Sequence, residues 1–332
     1  MATIRDIAKA AGVSASSVSR VINNGPKVGE ETRKKILKII KELGYTPNAN
    51  AQAINANQKL AIGIVLPNLL QPFFAEMAHG IEKIASEHNA QIMLHSSDSS
   101  EQGERQAIET LLEYRFQSIV VHSTFLDNDE LIRYAKSTPG FVLLNRYIEE
   151  ISHQCVWLDD HKGGALMAKI ALNAGHKQIA ILRSSRGGNQ AERRQAGCIE
   201  YLSKKQINSD SIFAVTAEPT YEGGKQAVQD LIASGKPFTV ILSHNDVMAI
   251  GAISMLEAQG FCVPDDVSII GYDNLNIAEF IQPKLTTINN PIEKMAKTAT
   301  LMALNLNKQT SSDDELIFQP DIVIRNSVQN LL

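Results

Sequence analysis

The sequence predicts an all-α helix-turn-helix head, a short linker, and an α/β core of two doubly wound parallel-sheet subdomains. Three observations carry this expectation. Residues 3–23 read as two short helices joined by a tight turn. Residues 45–59 change abruptly in composition. From Leu60 onward, short apolar runs alternate with amphipathic stretches, and the pattern occurs twice. The expected boundaries are 1–45 for the head, 46–59 for a hinge segment and 60–332 for the core. Within the core, one subdomain takes about 60–158 and 289–319, and the other about 159–288 and 320–332.

In the head, Thr3 is a good N-cap and Asp6, three residues on, completes a capping-box variant. Ile4, Ile7, Ala8 and Ala11 form one apolar stripe. Gly12 ends the helix, because glycine accepts the left-handed backbone that a helix stop often needs. Ser14 caps the second helix, and Val13, Val18, Val21 and Ile22 pack it against the first. Ala15, Ser16, Ser19 and Arg20 are left facing outward. A solvated helix face would normally carry Glu and Lys. Short side chains with one Arg suit a helix that approaches base edges in a DNA major groove. A third helix begins after Val28-Gly29, favoured by Glu30 and Glu31 at its start. Ile36, Leu37, Ile40 and Leu43 are its expected core stripe and Gly44 its end.

Tyr45-Thr-Pro-Asn48 is a turn. Residues 49–56 are rich in Ala, Asn and Gln with one large apolar residue, Ile54. The segment is too short and polar for a helix stable on its own, and a flexible linker with one stray apolar residue fits it equally well. The core strands are expected at 61–66, 91–94, 118–121 and 140–144, then at 179–182, 212–215, 239–242 and 267–270. Such short, nearly continuous apolar strands between helices mean parallel sheets covered on both faces. Ligands bind sheets of this kind beyond the carboxyl ends of the strands. The residues there are Pro67-Asn-Leu-Leu-Gln-Pro-Phe-Phe74, Asn145-Arg146, Glu192-Arg-Arg194, His244-Asn-Asp246 and Gly271-Tyr-Asp273. Taken singly, Asn245 and Asp273 read as helix or turn caps, and Phe73 and Phe74 as core residues. Five such loops in one register read instead as a cleft. Planar amides, carboxylates and guanidinium groups there suit the paired donors and acceptors of sugar hydroxyls.

Charge separates the two parts. Residues 1–59 hold 10 Lys/Arg against 4 Asp/Glu, a net of +6, and the remainder holds 22 against 32, a net of −10. A basic head on an acidic body suits phosphate binding by the head alone. Arg33-Lys-Lys-Ile-Leu-Lys38 reads equally as a solvated helix face. There is no apolar run long enough to span a bilayer and no signal-peptide core, so a cytoplasmic protein is expected. Cys155, Cys198 and Cys262 lack metal spacing and are expected to be small buried residues. His79, His88, His95, His122 and His176 show no metal spacing either, and are expected at the surface or satisfied in loops. No nucleophile elbow, metalloprotease motif or phosphate loop appears, so no catalytic residue, metal or cofactor is expected.

The run from Thr3 to Asn23, the segment Tyr45-Thr-Pro-Asn-Ala-Asn-Ala-Gln-Ala-Ile54 and the core loops resemble the lactose/galactose repressor family of bacterial transcription regulators. The likeness covers nearly the whole chain. Its galactose branch is matched through Val21-Ile-Asn-Asn24, Pro47-Asn-Ala-Asn-Ala51, Glu104-Arg-Gln-Ala-Ile-Glu109 and Leu144-Asn-Arg146. The resemblance implies a periplasmic-binding-protein-like core and a repressor that binds double-stranded operator DNA as a homodimer. Ala15, Ser16 and Arg20 would read bases. Thr3, Ser14, Ser17, Ser19, Asn23 and Lys27 would mostly contact phosphates, with Asn48 also in the DNA-contact set. Ile54 would be a minor-groove wedge in a hinge helix, where the family usually has Leu. Asn145, Arg146, Arg194, Asn245 and Asp273 would be the polar effector contacts, and Phe73 or Phe74 the apolar wall. The Asn145-Arg146 pair points to a galactose-type sugar that lowers operator affinity. The alternative within the family is a co-repressor, such as a purine, that raises it. Ala15 and Ser16 depart from the galactose branch's larger apolar pair, so the operator sequence does not follow. No leucine heptad follows Asp321-Ile-Val-Ile-Arg-Asn326, so a dimer rather than a tethered tetramer is expected.

Overall fold

A computed structural model of the chain describes residues 3–22, 25–43, 60–186, 188–305 and 316–332. Contacts divide it into two compact units, Met1–Leu60 and Ala61–Leu332.

The first unit holds helices α1 (Ile4–Ala11), α2 (Ala15–Ile22) and α3 (Glu30–Glu42). The capping box closes at Thr3, whose hydroxyl accepts the Asp6 N–H at 3.3 Å while the Asp6 carboxylate accepts the Thr3 N–H at 2.8 Å. Gly12 takes φ 68° and stops α1, and the Ser14 hydroxyl accepts the Ser17 N–H at 3.2 Å to open α2. Ile7, Ala8, Ala11, Val18, Val21 and Ile36 form the buried core of this unit. The expected stripe of α3 needs correcting, because Leu37 is 50% exposed and Leu43 44%. With Ile36 as the buried anchor, Leu37 stands about 100° round the helix, so Ile39 and Ile40 take the inner positions. Leu43 already lies beyond the last helical residue. Gly44, Asn23, Asn48, Ile54 and the whole 46–59 segment lie outside the described residues.

The second unit runs β1 (Ala61–Leu66), α4 (Pro72–Glu87), β2 (Gln91–Ser96), α5 (Glu101–Glu113), β3 (Ser118–Val121), α6 (Asn128–Ser137), β4 (Gly140–Leu144) and β5 (Cys155–Leu158). It continues with α7 (Asp160–Asn173), β6 (Ile179–Ser184), α8 (Asn189–Lys204), β7 (Ile212–Ala217), α9 (Tyr221–Ala233), β8 (Val240–Ser243), α10 (Asp246–Ala258) and β9 (Ser268–Ile270). It ends with α11 (Ile277–Phe280), β10 (Thr287–Asn289), α12 (Ile292–Ala303), β11 (Ile317–Phe318) and β12 (Asp321–Val323). One sheet has the order β11-β5-β4-β3-β1-β2 and the other β7-β6-β8-β9, each parallel throughout. β10 and β12 form a separate antiparallel pair. The chain leaves the first sheet after β5, returns to it at α12, and leaves again after β11.

Strands β5, β10, β11 and β12 were not among the expected ones. The last three span only two or three residues, too few for a periodicity to register. Cys262 also departs from expectation: it is exposed, whereas Cys155 and Cys198 are buried. Close helix packing fixes the second subdomain. A Cβ on Gly164 of α7 would overlap the Arg194 carbonyl of α8, and one on Gly197 would overlap the His161 carbonyl. Two glycines facing backbone therefore let α7 and α8 approach until their side chains meet.

Candidate functional site

On the head, Ala15, Ser16 and Arg20 of α2 are exposed, and Ser17 and Ser19 are half-buried. Val18 and Val21 point inward, so the 3.6-residue period itself places small and cationic side chains on one outer face. The hydroxyls of Ser14, Ser16 and Ser17 cluster, with Ser14 Oγ 2.8 Å from Ser16 Oγ and 2.9 Å from Ser17 Oγ. Exposed Lys27 sits in the turn after α2 at φ 69°.

In the core, the structure brings the remaining expected residues to the carboxyl ends of the two sheets. Phe73 and Phe74 open α4, their rings edge to face at 5.3 Å. Asn145 follows β4 at φ 65°, buried, with no partner for its Oδ1. Its neighbour Arg146 is turned to the scaffold, donating to Asn128 Oδ1 at 2.8 Å and Ser123 Oγ at 3.2 Å. Buried Glu104 holds the same loop, accepting from Ser123 Oγ at 2.6 Å and from the backbone of Thr124 at 2.7 Å and Leu126 at 3.1 Å. Asn245 caps α10, accepting the Met248 N–H at 2.8 Å, and its Nδ2 donates to the Pro219 carbonyl at 3.4 Å. The capping role read from the sequence is therefore real.

Arg194 was expected in a loop after β6. It stands instead within α8, buried, and its position there depends on the glycine-mediated approach to α7. Its guanidinium donates twice to Asp160 Oδ1, at 2.7 and 3.1 Å, and once to the His244 carbonyl. It also lies 3.3 Å over the Tyr272 ring. Tyr272 Oη donates to the same Asp160 oxygen at 3.0 Å. Burial pulls the Arg194 pKa down, but Asp160, Tyr272 and Asp273 more than reverse it, so the guanidinium stays charged. Burial pushes the Asp160 carboxyl up, against the pull of Arg194 and Tyr272.

Asp273 follows β9 at φ 105° and is buried. Burial holds its carboxyl up to about 7, against the attraction of Arg194 and a hydrogen bond from Asn290 Nδ2 at 3.3 Å. Asp246 is fully buried and is pushed well above the ordinary carboxylate range by burial and by Asp273. It accepts from Thr287 Oγ1 at 2.6 Å and Leu275 N–H at 2.8 Å, which anchors the segment carrying Asp273. The two subdomains touch across the cleft. Gln71 Nε2 reaches the Pro219 carbonyl at 3.4 Å, Arg186 Nη1 reaches Ser99 Oγ at 3.3 Å, and Gln190 donates to the Asn145 carbonyl.

Three residues that pack with the expected ones were not singled out from the sequence as candidates: Asp160, Tyr272 and His122. Asp160 was not singled out, and Tyr272 entered only as the middle residue of Gly271-Tyr-Asp273. His122 was expected at the surface or satisfied in a loop. It is 6% exposed, with ring Nδ1 unpartnered. Its position immediately after the apolar run 118–121, the strand end that carries site residues elsewhere, was the available signal. Among the described residues no group of three or more His, Cys, Asp or Glu could hold a metal ion, and no helix is long and apolar enough to cross a membrane.

The cleft offers buried donors and acceptors beside an aromatic wall, chemistry suited to a small polyhydroxylated ligand. A helix-turn-helix head on such a core defines a ligand-responsive DNA-binding regulator. Two family descriptions match this chain: "Bacterial regulatory proteins, lacI family" over residues 3–48, and "Periplasmic binding proteins and sugar binding domain of LacI family" over residues 59–326. The chain belongs to the LacI family. It is 36% identical to the HTH-type transcriptional regulator GalR of Escherichia coli strain K12, covering 99% of this chain and 96% of that protein. It is 32% identical to the HTH-type transcriptional repressor PurR of Pasteurella multocida, covering 100% of both. In structure it matches the Lac repressor dimer bound to operator and the anti-inducer ONPF, with TM-score 0.82 and 25% identity over 99% of each chain. These relatives are transcription regulators, not enzymes.

Proposed function

We propose that the protein is a transcriptional repressor whose operator affinity falls when a galactose-type hexose occupies the core cleft. The observation that carries the reading is the buried set at the strand ends: Arg194 braced by Asp160 and Tyr272, with Asp273, Asn245 and Asn145 beside Phe73 and Phe74. Asp273, Asn145 and Asn245 supply acceptors and amide groups for hydroxyls, Arg194 supplies fixed donors, and a phenyl ring covers the apolar side of the sugar. Arg146 acts through the loop it holds rather than by contact. The GalR relative and the Asn145-Arg146 pair support galactose. Two copies pair, and each head reads one half-site of a pseudo-palindromic operator through Ala15, Ser16 and Arg20. Thr3, Ser14, Ser17, Ser19, Asn23, Lys27 and Asn48 hold the backbone, and Ile54 wedges the minor groove.

Sugar binding that changes the angle between subdomains needs a coupling of only about 1–3 kcal/mol to move operator affinity five- to 150-fold. A second reading, a ligand that strengthens DNA binding, is the alternative within the family. The test is binding to DNA from upstream of the protein's own gene, with and without D-galactose, at one fixed salt concentration. Weaker binding with galactose supports the induced repressor, and stronger binding selects the co-repressor reading. Unchanged affinity at saturating galactose defeats the galactose assignment.

A further inference from the structure

Trp157 stands on β5, two residues before the chain first crosses to the second subdomain at Asp159. It pairs with Ile317 of β11, beside the last crossing. Tyr147, from the loop after β4, packs against its ring at 4.7 Å, and both rings join the apolar layer shared with α5 and α6. From the second subdomain, Arg193 of α8 brings its guanidinium 5.1 Å over the Trp157 ring, with Nη2 3.9 Å from Asp159 Oδ1. The Arg193 side chain is 41% exposed, yet its Nε is buried and makes no hydrogen bond. A half-exposed arginine could turn that nitrogen into water. Lying over the ring leaves it unpaired, a cost that the attraction between cation and ring face must offset.

Each side of this stack adjoins a residue of the cleft. Arg193 precedes Arg194, and two acidic neighbours on the crossing divide the pair: Asp160 holds Arg194 at 2.7 Å, and Asp159 faces Arg193. Tyr147 follows Asn145 by two positions, and Arg146 between them is fixed to Asn128 and Ser123. A helix moves as a unit, so a ligand that shifts Arg194 carries Arg193 across the Trp157 ring. A guanidinium is attracted only when close over the ring face. The contact is therefore made fully in one arrangement of the subdomains and weakened in another.

We infer that the stack of Arg193 on Trp157 and Tyr147 sets the balance between the operator-binding and the sugar-binding arrangements of the core, by holding the subdomain angle rather than by touching either ligand. This rests on the sugar reading above. Weakening a contact that belongs to one arrangement shifts the population to the other, so both affinities must respond together.

On the full-length protein, binding to DNA from upstream of its own gene is measured by fluorescence anisotropy and D-galactose binding by calorimetry. Wild type is compared with Arg193→Met, Trp157→Leu and the double variant. Arg193→Met removes the cation, and Trp157→Leu removes the ring without changing the charge. Each should shift DNA and galactose affinity by about two- to fivefold. The shifts should be in opposite directions if galactose weakens DNA binding, and in the same direction if it strengthens it. The double variant should move them no further than the larger single change, because both substitutions remove one contact. Unchanged affinities in both single variants, or effects that simply add in the double variant, overturn the inference and leave the sugar site standing. Wild type that binds no galactose defeats the sugar reading separately. DNA affinity then judges the stack: a shift common to both single variants supports it, and no common shift overturns it. If Trp157→Leu does not fold, Arg193→Lys decides on galactose affinity. A return toward wild type supports the stack, and a value equal to that of Arg193→Met removes it.

Discussion

Replacing Asp273 by asparagine should remove a pH dependence of stability that the wild-type core carries. The Asp273 carboxyl is buried, and burial holds it up to about 7, although Arg194 and Asn290 favour its ionised form. In the unfolded chain the same group ionises near about 3.9. Because the folded-state value is the higher one, the stability contributed by protonation is fully present below the unfolded value. It is lost as pH rises through about 7. Between about pH 5 and pH 8 the loss integrates to about 2–3 kcal/mol. The introduced carboxamide would mimic the protonated carboxyl, and its oxygen could still accept the bond from Asn290. Urea unfolding of wild type and Asp273→Asn at several pH values measures the difference directly, since other titrating groups are common to both proteins. Wild type should lose stability relative to the variant as pH rises. Curves that stay parallel from about pH 5 to pH 8 would refute the assignment of this titration to Asp273. A sugar whose hydroxyls donate to the Asp273 carboxylate favours the ionised form. Its affinity should therefore rise with pH and level off above about 7, with proton release on binding below that point.

Asp160→Ala leaves the buried Arg194 guanidinium without its counter-charge and should cost about 3–5 kcal/mol in urea unfolding. A loss under about 1 kcal/mol would mean that Arg194 is held by the His244 carbonyl and Tyr272 instead. Arg20→Ala should weaken operator binding by about 1–3 kcal/mol and relax base preference, measured by fluorescence anisotropy across operator variants. Ile54→Ala should lower operator affinity while sugar affinity stays put. Trp157 is the chain's one tryptophan. Arg193, on α8, lies 5.1 Å over its ring, and Tyr147 packs against it at 4.7 Å. Because Arg193 and Trp157 belong to different subdomains, sugar binding should change tryptophan emission, and Arg193→Met should blunt the change. Constant emission at a sugar concentration that saturates calorimetric binding would count against movement at this contact.

Local chemistry wrote much of this protein into its sequence. The capping box at Thr3 and Asp6, the glycine stop at Gly12 and the inward valines of α2 are decided within three or four residues, so spacing alone exposes them. The eight expected core strands are apolar runs bounded by polar loops, and they were legible for the same reason. The strand-end positions of Asn145, Asn245 and Asp273 follow from that pattern. The helix cap at Asn245 was legible in the same way, whereas Arg146, expected to contact the effector, turns to the scaffold.

Tertiary structure alone decided the rest. Arg194 meets Asp160, 34 positions away, because Gly164 and Gly197 let two helices approach, and Tyr272 joins them, 112 positions from Asp160. Asp273 acquires its raised pKa from burial between groups drawn from both ends of the core. His122 becomes a buried, neutral ring with an unpaired Nδ1 only when β1 and β4 close on either side of β3. Periodicity reports which way a residue faces along its own element. Desolvation, charge pairing and orphaned hydrogen-bonding atoms depend on partners far along the chain, and these exist only once the sheets have packed.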